Sequence, residues 1–216
     1  MKKLLAAIFI FVLLLSLTAC AGKTDYPAVS QLRTDILYAS DGNYEVTVYK
    51  EERELPLLAD GVALERTPVL VVKIHSLTEI SGTFTIFAEF DGKRYSAQPE
   101  HRAANVLHAV MPVEVLPAGE VTVTVKSNEE VHLKLSSIIP EGTAVYTTPL
   151  ATAINRLADK LRYDGKAPLG EFQVRILCEN ATAYWYVGYV TDKEIFSLLL
   201  SADGKEIIAT RQAENL

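Results

Sequence analysis

Short runs that alternate apolar and polar residues fill the middle of the chain, from about residue 34 to residue 140. The alternation is strict at 121–125, where the sequence is Val-Thr-Val-Thr-Val. A period of two places successive side chains on opposite faces of a strand, so one face meets a core and the other meets water. Asp-Gly pairs at 41–42 and 91–92 separate neighbouring runs and favour tight hairpin turns. This part of the chain is therefore predicted to form antiparallel strands.

Seven or so short strands at this spacing predict a β-sandwich over residues 34–142. Their number and rhythm resemble those of immunoglobulin-like domains, but the Cys–Trp–Cys pattern of that family is absent, so the sequence leaves the topology open. The predicted strands are Ile36–Ala39, Tyr44–Tyr49, Pro68–His75, Thr83–Phe90, Arg94–Gln98, Val106–Val115, Val121–Lys126 and Val131–Ile138.

The composition changes at residue 147, where a helix is predicted. Thr148 can cap the free amide groups of the first turn, and Pro149 fits that turn. Leucine and isoleucine then recur at spacings of four, three and four residues, which gives one apolar stripe. Asp164-Gly165 is the expected end of the helix. The stripe consists of Leu150, Ile154, Leu157 and Leu161.

Four further strands are predicted after the helix, so residues 147–216 are expected to form an α+β unit with the helix on one face of an antiparallel meander. In shape this unit resembles the small PepSY-like and cystatin-like domains of exported proteins, although it carries no diagnostic motif of either family. The strands are predicted at Phe172–Cys178, Ala183–Val190, Ile195–Leu200 and Glu206–Thr210.

The first twenty residues carry the most specific motif in the chain. Residues 1–3 are Met-Lys-Lys, residues 4–15 are apolar, and Leu17-Thr18-Ala19-Cys20 follows. A basic start, an apolar run of about 7–15 residues and small residues at its end are typical of a secretory signal. The last four residues resemble the lipobox of bacterial lipoproteins. That resemblance implies a signal peptide over 1–19, cleavage between Ala19 and Cys20, and a diacylglycerol on the sulfur of Cys20; an uncleaved signal anchor is the alternative.

The predicted location follows from this motif. We expect an exported protein that is lipid-anchored to the outer face of the cell membrane, or to the outer membrane if the cell has one. The resemblance to lipoproteins implies the outer membrane in that second case, because the Asp that retains many of them in the inner membrane is replaced by Ala21 after Cys20. Residues 20–33 are predicted to be the lipidated cysteine and a tether. Loss of 1–19 leaves 21 − 2 = 19 basic against 27 acidic residues, a formal charge of −8. That charge disfavours nucleic acid as a partner.

The sequence contains no familiar catalytic or metal-binding motif. The four histidines, at 75, 101, 108 and 132, lack the short spacing of zinc motifs. Cys178 lies in a predicted strand with no histidine after His132, so we expect a buried small side chain and not a nucleophile. No cofactor and no metal are predicted. An enzyme stays an alternative, because two catalytic carboxylates need not be adjacent in sequence.

One aromatic run, residues 184–189, suggests a ligand site. A period of two places Trp185 and Tyr189 on one face of the strand, and Tyr184 and Tyr186 on the other. Because the helix can cover only one face, the second must meet the sandwich, a partner or water. The favoured interpretation is that both faces are core. The alternative is that Tyr184, Trp185, Tyr186 and Tyr189 form an exposed platform for a glycan or peptide.

The sequence thus predicts a non-catalytic binding or structural role at the cell envelope. The expected partners are the membrane, through the lipid on Cys20, and a glycan, a peptide or an envelope protein as ligand. One alternative is an envelope hydrolase whose site is assembled from distant residues. Another is a small regulatory or inhibitory module that acts on an envelope protein through the C-terminal unit. The identity of the ligand and the oligomeric state are left open by the sequence.

Overall fold

Fifteen strands and one helix make up the described part of the chain. The computed structural model describes residues 28–215 except 79, 81, 162, 165 and 166, and at 163, 164, 167 and 168 it describes the backbone alone. In chain order the elements are β1 (Val29–Ser40), β2 (Tyr44–Arg53), β3 (Thr67–Ser76), β4 (Thr85–Phe90), β5 (Lys93–Ala97), β6 (Glu100–Ala103), β7 (Val106–Pro112), β8 (Val121–Lys126), β9 (Glu130–Ser137), α1 (Thr147–Arg156), β10 (Tyr163–Asp164), β11 (Ala167–Pro168), β12 (Glu171–Glu179), β13 (Thr182–Val190), β14 (Glu194–Ser201) and β15 (Ile207–Glu214).

The N-terminal half is a β-sandwich. One of its sheets has the strand order β1-β2-β3-β7-β6, and the other has the order β5-β4-β8-β9. Apolar side chains from the two sheets form one core, with Val48, Val72 and Leu107 on one side and Ile86 and Val123 on the other. These five side chains have no exposed surface. The alternation in the sequence therefore marks the residues that face the sandwich core.

Both predicted Asp-Gly hairpins form, between β1 and β2 and between β4 and β5. In the first turn, the Asp41 carboxylate accepts hydrogen bonds from the amides of Asn43 and Tyr44, each 2.8 Å long. These bonds lower the pKa of Asp41. Gly42 has a φ of +90°, which glycine adopts without the steric penalty that other residues meet.

The C-terminal half is a meander of β12, β13, β14 and β15 with α1 on one face. Leu150 and Ala153 of the helix are fully buried, and they share a core with Val174, Val187 and Leu198, one from each of the first three strands. This is the arrangement expected from the apolar stripe of the helix. The predicted fold class, mainly β with a helix late in the chain, is confirmed.

Strand β1 joins the two halves into one sheet. Near its start β1 runs parallel to β12, with Leu32 opposite Val174, and near its end it pairs with β9, with Leu37 opposite Ser137. A continuous sheet therefore runs β15-β14-β13-β12-β1-β2-β3-β7-β6. Leu32 contributes to the C-terminal core and Leu37 to the sandwich core, so a single strand serves both.

The tether predicted for residues 20–33 is too long, because β1 begins at Val29 and residues 29–32 are buried. Polar Ser30 and Gln31 made this stretch look like an exposed linker. Both residues are held by β2 and the residue just beyond it: the Gln31 side-chain amide donates to Glu51 over 2.9 Å, and the Ser30 backbone carbonyl accepts from the Glu54 amide over 3.1 Å. These bonds hold the stretch in the sheet. The signal peptide, Ala19 and Cys20 lie outside the described residues.

The helix is shorter than predicted. It begins at Thr147 with Tyr146 in the N-cap position, and no side chain caps it, so the predicted capping role of Thr148 is wrong. It ends at Arg156, and the expected stop at Asp164-Gly165 is also wrong, since Asp164 lies in β10. The physical cause of the early end is a tight turn in which the Leu157 carbonyl accepts hydrogen bonds from the amides of residues 160 and 161, over 2.8 and 3.0 Å.

The other predicted strands form with bounds that differ by a few residues. Strand β6 was missed, because all four of its side chains are exposed and it shows no apolar alternation. The last strand extends to Glu214, beyond the predicted end at Thr210. No helix among the described residues is long and apolar enough to cross a membrane.

Candidate functional site

The aromatic run at 184–189 lies in β13, and the structure buries part of the predicted platform. Trp185 and Tyr189 face α1, and their exposed fractions are 2% and 0%. The ring of Tyr189 packs against that of Phe172, tilted by 40° with 5.0 Å between the ring centres, and the Tyr189 hydroxyl donates to the Leu169 carbonyl over 3.2 Å. These two side chains belong to the C-terminal core, so they cannot take part in an exposed platform for a ligand.

Tyr184 and Tyr186 lie on the opposite face of β13 and are half-buried. The Tyr186 hydroxyl lies 3.1 Å from the Ser197 hydroxyl, and the guanidinium of Arg175 lies 4.2 Å from the centre of the Tyr186 ring. A Cβ atom on Gly188 would come within 2.7 Å of the Tyr186 hydroxyl. Glycine at 188 therefore lets the ring lie across the strand, where neighbouring groups hold it in place.

A layer of arginine, tyrosine and glutamate side chains continues from Tyr186 across β12, β1 and β2. We call it the arginine layer. The register places Arg175 beside Arg33 on β12 and β1, and Arg33 beside Glu51 on β1 and β2. Arg33 also lies 3.9 Å above the centre of the Tyr49 ring. The layer consists of Arg33, Tyr49, Glu51, Arg53, Arg175 and Tyr186.

Glu51 compensates the positive charge at the centre of this layer. Arg33 Nε donates to Glu51 Oε1 over 2.7 Å, and Arg53 Nη1 lies 3.6 Å from Glu51 Oε2. Burial lowers the pKa of the Arg53 guanidinium, a shift that Glu51 opposes and Arg33 reinforces. Because the Arg33–Glu51 pair joins β1 to β2, we interpret the layer as a structural connection between these strands.

Two buried carboxyl groups lie at the end of the sheet where β1 begins. Glu54 and Glu171 have exposed fractions of 2% and 0%. Burial raises the pKa of Glu171, and the negative charges of Glu54 and Asp60 raise it further. The Gly61 amide, which donates to Glu171 over 3.4 Å, acts in the opposite direction. These groups fix the loop between β2 and β3 against the start of β12.

A cleft of about 700 Å³ opens between the C-terminal end of α1 and the outer strands β14 and β15. A smaller cavity of about 250 Å³ continues it along the helix. The two share Asp159, Lys160, Phe196 and Gln212, so they form one surface feature, which we call the α1–β15 cleft. Its lining also includes Arg156, Leu157, Thr191, Asp192, Lys193, Glu194, Ser197, Leu198, Thr210, Arg211, Glu214 and Asn215.

The charges of this cleft are unevenly distributed. Four carboxylates line the larger part of the cleft, those of Asp159, Asp192, Glu194 and Glu214, against the two basic residues Lys160 and Lys193. Arg156 and Arg211 line the smaller part near the helix. Such an arrangement attracts a positive group to the larger part, at the turn between β13 and β14. None of the cleft residues was predicted as a site residue from the sequence, because they come from three separate segments of the chain, 156–160, 191–198 and 210–215.

The remaining candidate residues, the histidines and Cys178, do not form a common site. The Asn105 side chain lies 2.8 Å from His75, and the Thr124 hydroxyl lies 2.8 Å from His132. Among the described residues, no three histidine, cysteine, aspartate or glutamate side chains are grouped to hold a metal ion. Cys178 is half-buried beside the C-terminal core, and its thiol donates to the Ile138 carbonyl over 3.4 Å.

Comparisons with known proteins found no relative. The chain matches no protein-family model, no curated protein and no solved structure. Its function is therefore inferred from the geometry of the chain itself.

Proposed function

We propose that this protein is a lipid-anchored, extracytoplasmic binding protein without catalytic activity, and that its ligand occupies the α1–β15 cleft. The observation that carries the proposal is the cleft. Its volume of about 700 Å³ lies within the range of ordinary ligand sites, roughly 300–1,000 Å³. Its lining combines an apolar side chain, Phe196, with charged groups of both signs.

The lipobox supports the anchored location. Strand β1 begins at Val29, nine residues after Cys20. Since an extended chain spans at most about 3.5 Å per residue, β1 would start within roughly 30 Å of the lipid. The folded part of the chain would then stay close to the membrane surface.

The cleft lies at the same end of the strands as Val29, where β1 begins. One row of paired residues crosses the sheet from Val29 through Phe172, Tyr189 and Phe196 to Gln212, which lines the cleft. With about 4.8 Å between neighbouring strands, Gln212 lies about 20 Å from Val29. A ligand in the cleft would therefore be held at the surface of the envelope, which supports a role there.

The test compares two charge-matched variants in binding to isolated cell envelopes. The purified chain carries Cys20→Ser, so that lipid cannot cause the binding. Asp159→Lys with Glu214→Lys reverses two exposed charges of the cleft, and Glu100→Lys with Glu114→Lys reverses two in the sandwich.

We expect the unmodified cleft to bind envelopes in a sedimentation assay, and the cleft variant to bind at least about tenfold more weakly, a loss of about 1.4 kcal/mol. The sandwich variant should bind like the unmodified chain. Equal loss in both variants, or no binding by the unmodified chain, would contradict the proposal.

A further inference from the structure

We infer that the ligand of the α1–β15 cleft is an extended peptide segment of another polypeptide, which adds to the free edge of β15 as a further strand. This inference rests on the proposed function, because it names the class of ligand for the same cleft. Three observations carry it: the direction of the backbone groups of β15, the sequence of that strand, and the charges beside it.

Within the described part of the chain no strand pairs with the outer edge of β15, where its backbone presents hydrogen-bonding groups. The Asn215 amide donates to the Lys193 carbonyl over 2.8 Å, which fixes the hydrogen-bonding phase of the β14–β15 ladder. In an antiparallel ladder, hydrogen-bonded and non-hydrogen-bonded pairs alternate. Residues 209, 211 and 213 therefore bond to β14, whereas the N–H and C=O groups of Thr210, Gln212 and Glu214 point to the free edge.

The sequence protects the other two end strands from such pairing and leaves β15 open. Strand β6 has four residues, three of them charged or histidine, and its register is interrupted. Strand β5 has five residues and begins with Lys-Arg. Short length, bulges and charged residues are the usual protection of a sheet edge. Strand β15 has eight residues without lysine or proline. Its one register shift lies at its start, between Ile207 and Ala209, and its register is regular from Ala209 to Glu214, so six residues that include only two charged ones, Arg211 and Glu214, form a regular edge.

The cleft supplies the side-chain contacts that strand addition needs. Thr210 and Gln212, whose backbone groups point outward, also line the cleft. Because side chains alternate along a strand, a peptide paired with β15 would project every second side chain into the cleft. At the turn end these side chains would meet Asp192, Glu194 and Glu214, so the geometry favours a peptide with a basic residue there.

A second copy of this chain fits the cleft less well. If two β15 strands paired with each other, the side chains offered to the cleft would be those of Thr210, Gln212 and Glu214. None of these is basic, and Glu214 would bring a further carboxylate to an acidic surface. The charges therefore favour a different polypeptide over self-association.

The test measures binding of a labelled peptide, Ser-Lys-Val-Thr-Val-Thr-Val-Ser, and of its counterpart with glutamate in place of lysine, to the full chain carrying Cys20→Ser. Thr210→Pro and Gln212→Pro each remove one outward N–H and leave the ladder with β14 intact. Edge strands tolerate proline at positions whose N–H points away from the sheet. Thr210→Ala and Gln212→Ala are the matched controls, because they change the same side chains and keep the N–H. Thermal unfolding checks that each variant folds.

We expect the proline variants to bind the lysine peptide about tenfold more weakly than the alanine variants, and the glutamate peptide to bind more weakly than the lysine peptide. In the unmodified chain the lysine peptide should slow amide exchange at 210, 212 and 214, with no change at 209 and 211, which already bond to β14. This second measurement needs no variant.

Three results would overturn the inference. Equal binding by the proline and alanine variants would show that the peptide does not pair with β15. Envelope binding through the cleft without binding of either peptide would exclude an extended peptide and leave the proposed function standing. A dimer that Thr210→Pro converts to a monomer in the absence of peptide would identify a second copy as the occupant of the edge.

Discussion

Glu51 is a carboxylate with 1% of its side chain exposed, and it lies between two arginines that are themselves about 85% buried. Removing one partner of a buried ion pair destabilises a protein more than losing an exposed pair, because the remaining charge stays buried without compensation. The next residue, Glu52, offers a natural comparison. It pairs with Arg66 at 3.5 Å, but 42% of its side chain is exposed.

Glu51→Gln should lower the free energy of unfolding by roughly 2–4 kcal/mol. The matched variant Glu52→Gln should lower it by less than about 1 kcal/mol, since solvent screens an exposed pair. Urea unfolding of both variants measures the difference. Similar losses would mean that the arginine layer does not hold the strands together.

Glu171 gives stability a pH dependence. Burial raises the pKa of its carboxyl above the ordinary 4.5, so the folded chain binds this proton more tightly than the unfolded chain. The stabilisation that follows is complete below about pH 4.5 and is lost as the pH rises through the folded pKa. Glu171→Gln cannot ionise and should be more stable than the unmodified chain at neutral pH.

The measurement for Glu171 is urea unfolding at several values between about pH 4 and about pH 8. The stability gained by Glu171→Gln should grow with pH across this window. A gain that stays constant, or a loss that grows with pH, would refute the role assigned to this carboxyl.

At the scale of elements, the loop between β2 and β3 packs tightly against the turn between β13 and β14. Gly61 has a φ of +86°, and a Cβ atom there would lie 2.9 Å from the Asp192 amide nitrogen. Gly42 has nearly the same φ, +90°, but open space around it. Alanine at either position meets the same backbone strain, but only at Gly61 does it also meet a close contact. Comparing the two substitutions therefore separates the two effects.

Gly61→Ala should destabilise the chain by about 1–3 kcal/mol more than Gly42→Ala, because only the first also forces two backbone segments apart. The same strain at positive φ acts in both variants. Chemical unfolding of the two variants measures the difference. If both lose the same stability, the close contact of the loop is not formed in solution.

Much of the local structure could be predicted from the sequence, because local physics determines it. The turn at 41–43 forms because the Asp41 carboxylate accepts a backbone hydrogen bond and Gly42 adopts a positive φ. The residues responsible are adjacent in the sequence. The strict alternation at 121–125 places its three valines in the sandwich core. Each of these signals lies within one short segment.

The parts that could not be predicted depend on residues far apart in the chain. Strand β1 pairs with β12 across about 140 residues, and Gln31 is buried because Glu51 on another strand accepts its hydrogen bond. Nothing near Gln31 in the sequence indicates that partner. The α1–β15 cleft likewise combines the end of a helix, a turn and two strands. Only the lack of lysine and proline in 207–214 offered a local signal for the free edge.

At the scale of the whole molecule, the shared strand β1 predicts that the two halves unfold together. Leu32→Ala removes a side chain with 4% exposure from β1 and should cost about 2–4 kcal/mol. Trp185, the single tryptophan, reports on the C-terminal core, and far-UV circular dichroism reports on all strands.

The two signals should change at the same urea concentration in both the unmodified chain and Leu32→Ala. A tryptophan transition that precedes the loss of strands would show that the C-terminal half unfolds alone. In that case β1 would not connect the halves in a single cooperative unit.

The proposed place of the molecule at the cell envelope rests on one residue, Cys20. Two or three acyl chains hold a protein firmly on a membrane, at about 0.8 kcal/mol per buried methylene. Membrane attachment is therefore expected to depend on the thiol of Cys20 and not on ionic contacts.

The most direct test is fractionation of cells that express the full chain or a Cys20→Ser variant, with a high-salt wash of the membranes. The full chain should stay with the membranes after the wash and be released by detergent. Cys20→Ser combined with Asp159→Lys and Glu214→Lys, which remove binding through the cleft, should leave the membrane fraction while keeping the thermal unfolding of a folded protein. A chain with these three changes that remains on salt-washed membranes would contradict lipid anchoring.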